Sequence, residues 1–283
     1  LSRLTFENSR GDTIVFYLSP LVIESLTGIG EIDADLQSEK APYQDGDTHI
    51  DTLLQPRFIN LEGIITRRNP VEIKSFRKQI LRVCNPKLGL GKITLELDGD
   101  TKEIFGVLDG GPVFPERGRN VWQQFMITWK CPNPYWRETV TKSSQMSFVM
   151  GGFSFPLRLG TKFSQRSFRR IFKNDGDVET PVHIEFRGPA INPIIKNNTT
   201  GEFIQVNRTL SETDKLIIDT TFGQKSVEIE DAAGNRTDAF NWINPESWFF
   251  QLQIGENQLE YNSNNDSTKT RVVISYRNMY VGV

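Results

Sequence analysis

The sequence predicts a mainly β chain in two domains, with one packed α-helix in the first. Three observations carry that expectation. Short runs of alternating apolar and polar residues recur along most of the 283 residues, the pattern of strands half-buried against a core. A single stretch, Pro70 to Val83, has apolar residues spaced by three and four instead. The segment Cys131-Pro132-Asn133-Pro134-Tyr135-Trp136 then closes one strand-rich block. Its two prolines lack the N–H that a ladder needs, and Tyr135 and Trp136 offer large apolar surface where the chain leaves the sheet.

The first domain is expected over residues 1–136. Leu4 and Phe6 lead to a Gly11-Asp12 turn, and Ile14, Phe16 and Leu18 then share a face; Leu21 to Leu26 continues the pattern. Residues 28–51 change character: Glu31, Asp33, Asp35, Glu39, Asp45, Asp47 and Asp51 are opposed only by Lys40. Glycines, Pro42 and few aliphatics predict a long loop here, and long loops in compact domains are usually functional or disordered. Strand alternation returns over Arg57-Phe58-Ile59-Asn60-Leu61-Glu62-Gly63-Ile64-Ile65.

The helix has its signals in order. Asn69 can cap, Pro70 suits the first helical position, and Glu72 can close a capping box. Ile73, Phe76, Ile80 and Val83 form one apolar face, while Lys74, Arg77, Lys78 and Arg82 form the other. Asn85-Pro86 ends it. Truncating Phe76 or Ile80 in a core would cost several kcal/mol, so the helix reads as scaffold. Lys92 to Leu97, Asp98-Gly99 and Thr101 to Leu108 form a hairpin, because Asp-Gly supplies the positive φ of a tight turn. After Gly110-Gly111-Pro112, the run from Trp122 to Lys130 is the strand that Pro132 stops.

Residues 137–173 are expected to be a basic linker or arm. From 141 on they carry Lys142, Arg158, Lys162, Arg166, Arg169, Arg170 and Lys173 and no acidic residue. Residues 174–283 form the second domain. Strands are expected at Val182–Phe186, Phe203–Val206, Leu216–Asp219, Val227–Ile229, Trp248–Leu252, Gln258–Tyr261 and Arg271–Tyr276. Their spacing predicts an antiparallel β-sandwich.

Composition narrows the function. A formal net charge of −2 argues against a general nucleic-acid binder. No apolar run approaches the ~18 residues of a membrane span, and the first residues hold no apolar signal core; the expectation is a soluble product made in a cytoplasm, with no membrane insertion. Cys84 and Cys131 read as core thiols. The two histidines, His49 and His183, belong to no catalytic motif, and His183 falls on the polar face of its strand. No Gly-x-Ser-x-Gly elbow, Walker loop or His-Glu-x-x-His occurs, so no catalytic residue, cofactor or metal is expected. Asp45 to Asp51 loosely resembles a calcium loop but lacks the turn glycine and the distal glutamate. Trp242 and Trp248 are more readily core residues than sugar-stacking platforms. The acidic 28–51 segment and the basic 141–173 segment suggest that one copy's loop meets its neighbour's arm in a closed ring.

Taken in order, several of these pieces resemble the distal tail protein (Dit) family of long-tailed siphoviruses, especially those infecting Gram-positive hosts. In the first domain the resemblance rests on Arg57 to Gly63, the Pro70–Val83 helix, the Asp98-Gly99 hairpin and the strand entering Cys131-Pro132-Asn133-Pro134-Tyr135-Trp136. In the second it rests on Asn174-Asp175-Gly176-Asp177 with Pro181, on Leu216 to Asp219, and on Gly255-Glu256-Asn257-Gln258-Leu259; Ile254 stands where the family often has proline.

The resemblance implies a structural virion protein of the tail tip, not an enzyme. It implies a tail-tube-like β domain with one helix, then a galectin-like antiparallel β-sandwich. It further implies a homo-hexameric ring that joins the tail tube protein to the tail-associated hub protein and carries receptor-binding or baseplate proteins. DNA would pass through the lumen without specific binding, since an acidic wall repels phosphate. Glu31, Asp33, Asp35, Asp45 and Asp47 are then candidates for the lumen or a subunit joint, and Arg158, Lys162, Arg166, Arg169 and Arg170 for a basic arm. Two rivals come from other classes: a carbohydrate-binding module attaching to the host cell wall through Trp242 or Trp248, and a wall hydrolase, for which no site is visible.

Overall fold

A computed structural model describes residues 2–115, 122–146, 168–265 and 270–283. The chain divides into two units, one of Leu1–Thr139 with Tyr280–Val283, the other of Val140–Met279.

The first unit contains strands β1 (Arg3–Glu7), β2 (Thr13–Phe16), β3 (Leu21–Thr27), β4 (Ala34–Glu39), β5 (Thr48–Leu54) and β6 (Arg57–Ile65), helix α1 (Pro70–Val83), and strands β7 (Gly91–Leu97), β8 (Asp100–Leu108), β9 (Gln123–Cys131) and β10 (Trp136–Glu138). Its main sheet runs β2-β1-β7-β8-β9-β6-β3, with β10 on β8. The β6–β9 pair is the spine, antiparallel from Arg57↔Cys131 to Ile65↔Gln123. Alternation along both strands buries Ile59, Leu61 and Ile65 with Phe125, Ile127 and Trp129, the period-2 parity of a sheet with one covered face. Phe6 and Phe16 add rings at 5.5 Å from Trp129 and Phe125 respectively.

Helix α1 begins as its sequence predicts: Asn69 Oδ1 accepts from the Val71 amide at 2.9 Å. Glu72 makes no capping box and instead pairs with Arg67 at 3.5 Å. Ile80 and Val83 are buried and Phe76 packs partly covered against the same core. The β7–β8 turn is tight because Asp98 (φ 51°) and Gly99 (φ 91°) both take positive φ.

The expected 28–51 loop is corrected by the structure. β4 and β5 pair from Ala34↔Leu54 to Glu39↔Thr48, with an irregularity between Gln37 and Ser38, so the acidic segment is a two-stranded hairpin. It escapes a search for alternation because neither of its faces is covered and no parity is imposed on its residues.

The second unit contains β11 (Lys142–Met146), β12 (Arg169–Asn174), β13 (Val182–Arg187), β14 (Ala190–Ile191), β15 (Ile194–Asn197), β16 (Phe203–Gln205), β17 (Thr209–Leu210), β18 (Lys215–Asp219), β19 (Ser226–Glu230), β20 (Arg236–Asp238), β21 (Gly255–Asn262) and β22 (Arg271–Tyr276). A six-stranded antiparallel sheet, β11-β22-β13-β18-β19-β20, and a four-stranded one, β12-β21-β15-β16, enclose a core of Val182, Ile184, Phe186, Leu216, Ile218, Val272 and Ile274 with Ile195, Leu259 and Tyr261. The unit is a β-sandwich.

Two expectations change here. Part of the supposed linker is strand: β11 pairs with β22 and β12 with β21. Both are outermost in their sheets, and their mostly polar residues leave a faint pattern. Trp248–Leu252, expected as a strand, makes only an isolated bridge between Leu252 and Thr180; its amides turn in succession to Phe203 O, Trp248 O and Thr180 O.

The quoted asparagine motifs are turn devices. Asn174 donates to the Val178 and Leu252 carbonyls at 2.8 and 3.1 Å and accepts from Gly176 N at 2.9 Å. Asn257 closes the turn before β21, donating to Gln253 O at 2.7 Å and accepting from Gln253 N at 2.9 Å.

Candidate functional site

The acidic hairpin projects from a root that is bound tightly. Arg57 opens β6 on the inward parity of Ile59 and Leu61, and it is 1% exposed. Its guanidinium donates Nη1 to Gly28 O at 2.8 Å and Glu31 O at 2.9 Å, Nε to Pro134 O at 2.8 Å, and Nη2 to Val281 O. Burial pulls the Arg57 pKa below its ordinary value, yet an arginine stays protonated in a protein. One side chain thus ties together the hairpin's first residues, the Pro134 corner and a residue 224 positions away along the chain.

Further bonds close the root. Trp136, fully buried, donates its indole N–H to Ile29 O at 3.0 Å. Val283 N donates to Ile29 O at 3.3 Å. Gly28 sits at φ 81°, and a Cβ there would lie 1.8 Å from Phe58 O, so only glycine lets the chain turn this close to β6. The Glu31 carboxylate accepts from Gly28 N at 2.9 Å; hydrogen bonds from its own backbone and Gly28, with Arg57 nearby, hold it below the usual carboxylate range. Glu31 is thus ionised and locked at the root, while the other acids lie beyond it.

The hairpin itself is uncovered. Every residue of β4 is exposed, as is every residue of β5 before Leu54. Inside it, Ser38 donates to Asp47 at 2.6 Å and Gln44 to Thr48 at 3.2 Å. Among the described residues, none of Glu31, Asp33, Asp35, Asp45 and Asp47 forms an ion pair. A second charged surface of this unit is the solvent side of α1. There Arg82 pairs with Asp12 at 2.9 Å and Arg77 lies 4.9 Å over the Phe114 ring, while Lys74 and Lys78 have no ion partner among the described residues.

In the second unit, Arg158, Lys162 and Arg166 lie outside the described residues. Arg169 and Arg170 lie on β12 and bond within the unit: Arg169 Nε pairs with Glu260 at 2.6 Å, and Arg170 donates to Gln145 O. Trp242 rests against the sandwich core, with the Arg208 guanidinium 4.1 Å over its ring, so one of its faces is taken. Trp248 is 67% exposed. His183 lies 3.7 Å from Asp219 across the β13–β18 pair. Cys84 and Cys131 are buried free thiols, each pushed by burial up to about 12.

Sequence reasoning missed Arg57 and residues 280–283 as parts of the root. Arg57's parity was a usable signal, since an arginine in register with Ile59 and Leu61 points inward. Nothing local marks the last four residues.

Comparison with known proteins adds a family. Residues 9–131 match the phage tail protein RIFT-related domain, and residues 175–280 match the C-terminal domain of the siphovirus-type tail component. Among solved structures, the Dit protein of phage SPP1, described as a paradigm of the hub adsorption apparatus in phages infecting Gram-positive hosts, is similar with a TM-score of 0.70 at 11% identity, covering 98% of each chain. Chains in the baseplate of phage P2 in its activated conformation are similar at 12% identity over the full length of both, with TM-scores of 0.59 with calcium and 0.58 with strontium. No curated protein matches by sequence.

Proposed function

Because the chain belongs to the siphovirus distal tail protein family, a family of structural components of phage tails and baseplates, we propose that it forms a homo-hexameric ring at the tail tip. The ring joins the tail tube protein on one face to the tail-associated hub protein on the other. The β-sandwich holds receptor-binding or baseplate proteins, and DNA passes through the lumen without specific contact. The chain is made in the host cytoplasm and enters the virion there. In this reading the acidic hairpin lies at the lumen or at a joint between copies.

One observation carries the proposal: both units match tail-protein domains, in order, over residues 9–131 and 175–280. The root geometry supports it, because a fully exposed arm on a rigid base suits contact between molecules better than chemistry on a small one. Electron microscopy of purified tails and of the purified chain tests it. A six-fold collar at the tail tip is expected; a tail reconstruction in which the chain occupies no rotationally symmetric position overturns it.

Trp248 favours a second reading, attachment to host wall polysaccharide, because an exposed indole is a surface on which a sugar ring can stack. Titration with host wall polysaccharide is expected to show saturable binding that Trp248→Ala removes. Equal binding by both proteins would reject this role for Trp248.

A further inference from the structure

We propose that the β4–β5 hairpin of one copy docks on the solvent face of helix α1 of a neighbouring copy. This rests on the ring reading above and names the joint that closes the ring.

The hairpin is built to be covered. An isolated two-stranded hairpin is marginally stable in water at best, and this one has neither face packed. It also exposes Leu36 (68%), Ile50 (61%), Leu53 and Tyr43, apolar side chains that gain by leaving water. Residues 28–56 carry seven acidic side chains against Lys40, none of them in an ion pair among the described residues. A surface of this kind calls for a partner that is basic and partly apolar.

Helix α1 presents such a surface on the same chain. Residues 66–83 carry six basic side chains, Arg67, Arg68, Lys74, Arg77, Lys78 and Arg82, against Glu72. Val71, Lys74, Lys78 and Leu81 are all exposed and follow one another at spacings of three and four, so they form one stripe along the helix. Two unpaired lysines are thus flanked by two uncovered aliphatic residues. The hairpin offers the complementary mixture: Asp35, Asp45 and Asp47 interspersed with Leu36, Ile50 and Tyr43. Single surface ion pairs contribute little. The charges therefore set orientation and partner choice, and the apolar residues supply the affinity. Hairpin and helix are different patches, so their contact is heterologous, the kind that generates a ring when its rotation closes.

Zero-length carbodiimide cross-linking tests this directly, because it joins a carboxylate to an amine only where the two touch. It is applied to intact tails, and to purified rings assembled from mixed isotope-labelled and unlabelled chain. Links from Asp35, Asp45 or Asp47 to Lys74 or Lys78 between copies are expected. The double reversals Asp45→Lys/Asp47→Lys and Lys74→Glu/Lys78→Glu are each expected to lower the ring fraction at least tenfold, and the four changes together to restore it. All four positions are exposed, and circular dichroism of each variant confirms folding. A six-fold collar whose hairpin acids link only to other residues, or a ring fraction unmoved by either reversal, overturns the joint while leaving the ring reading intact. A tail without the collar removes the ring reading itself.

Discussion

Arg57 shows how much one residue can organise. It is a buried cation with no carboxylate in direct contact, held by four main-chain carbonyls from three separate stretches of chain. Removing the side chain leaves those carbonyls buried and unpaired. Arg57→Ala is therefore expected to destabilise the first unit by about 3–5 kcal/mol, measured by urea denaturation. Arg57→Lys should recover little of that loss, because an ammonium cannot reproduce the planar fork. The sequence held an unused signal: Arg57 shares the inward parity of Ile59 and Leu61. Its acceptors were not legible, since they belong to residues 28, 31, 134 and 281, brought together only by the fold.

His183 gives a pH signature at the same scale. Its pKa is raised, chiefly by the Asp219 carboxylate 3.7 Å away. The folded-state value thus lies above the unfolded one, and the protonated form is the one that folding favours. The resulting stabilisation is complete below about pH 6.5 and lost as pH climbs through the folded-state pKa. Half-exposure keeps it small. Thermal unfolding of the second unit is expected to show a slight decline across that window that His183→Gln abolishes.

At the scale of elements, what the sequence disclosed was what burial had shaped. Helix α1 was legible because its cap, its first-turn proline and its apolar spacing all state the same thing, and β6, β7, β8 and β9 were legible because one covered face imposes alternation. The β4–β5 hairpin has no covered face, and Trp248–Leu252 lost its expected ladder to irregular partners. For the same reason the hairpin should be thermodynamically dispensable to its own unit. Replacing residues 34–54 with a short Gly-Ser bridge is expected to change the unfolding free energy of the first unit by less than about 1 kcal/mol. It should also abolish oligomer formation, read by native mass spectrometry. A large loss of stability would mean that the arm supports its own chain.

At the scale of the whole molecule, the first unit is discontinuous, taking in Tyr280–Val283 after the entire second unit. Tyr280 donates its hydroxyl to Glu138 at 2.9 Å and lies under the Lys102 ammonium at 4.1 Å, and Val281 accepts from Arg57. Ending the chain after Met279 is expected to cost the first unit about 2–4 kcal/mol, visible as a lowered calorimetric transition for that unit alone. The two prolines before Trp136 predict a break just after it; the units divide after Thr139, with β10 still paired to β8 of the first sheet. The return at 280 was not legible, since four residues carry no periodicity and their partners lie far upstream.

That return sets a timetable. A ribosome delivers residues 280–283 only after everything between them and Thr139 has been made, so the arm cannot be seated firmly on its base before those residues emerge. Products that stop short of residue 280 lack the closing clasp whatever else they contain. Synthesis of the 280–283 segment thereby becomes a precondition for a firmly anchored arm.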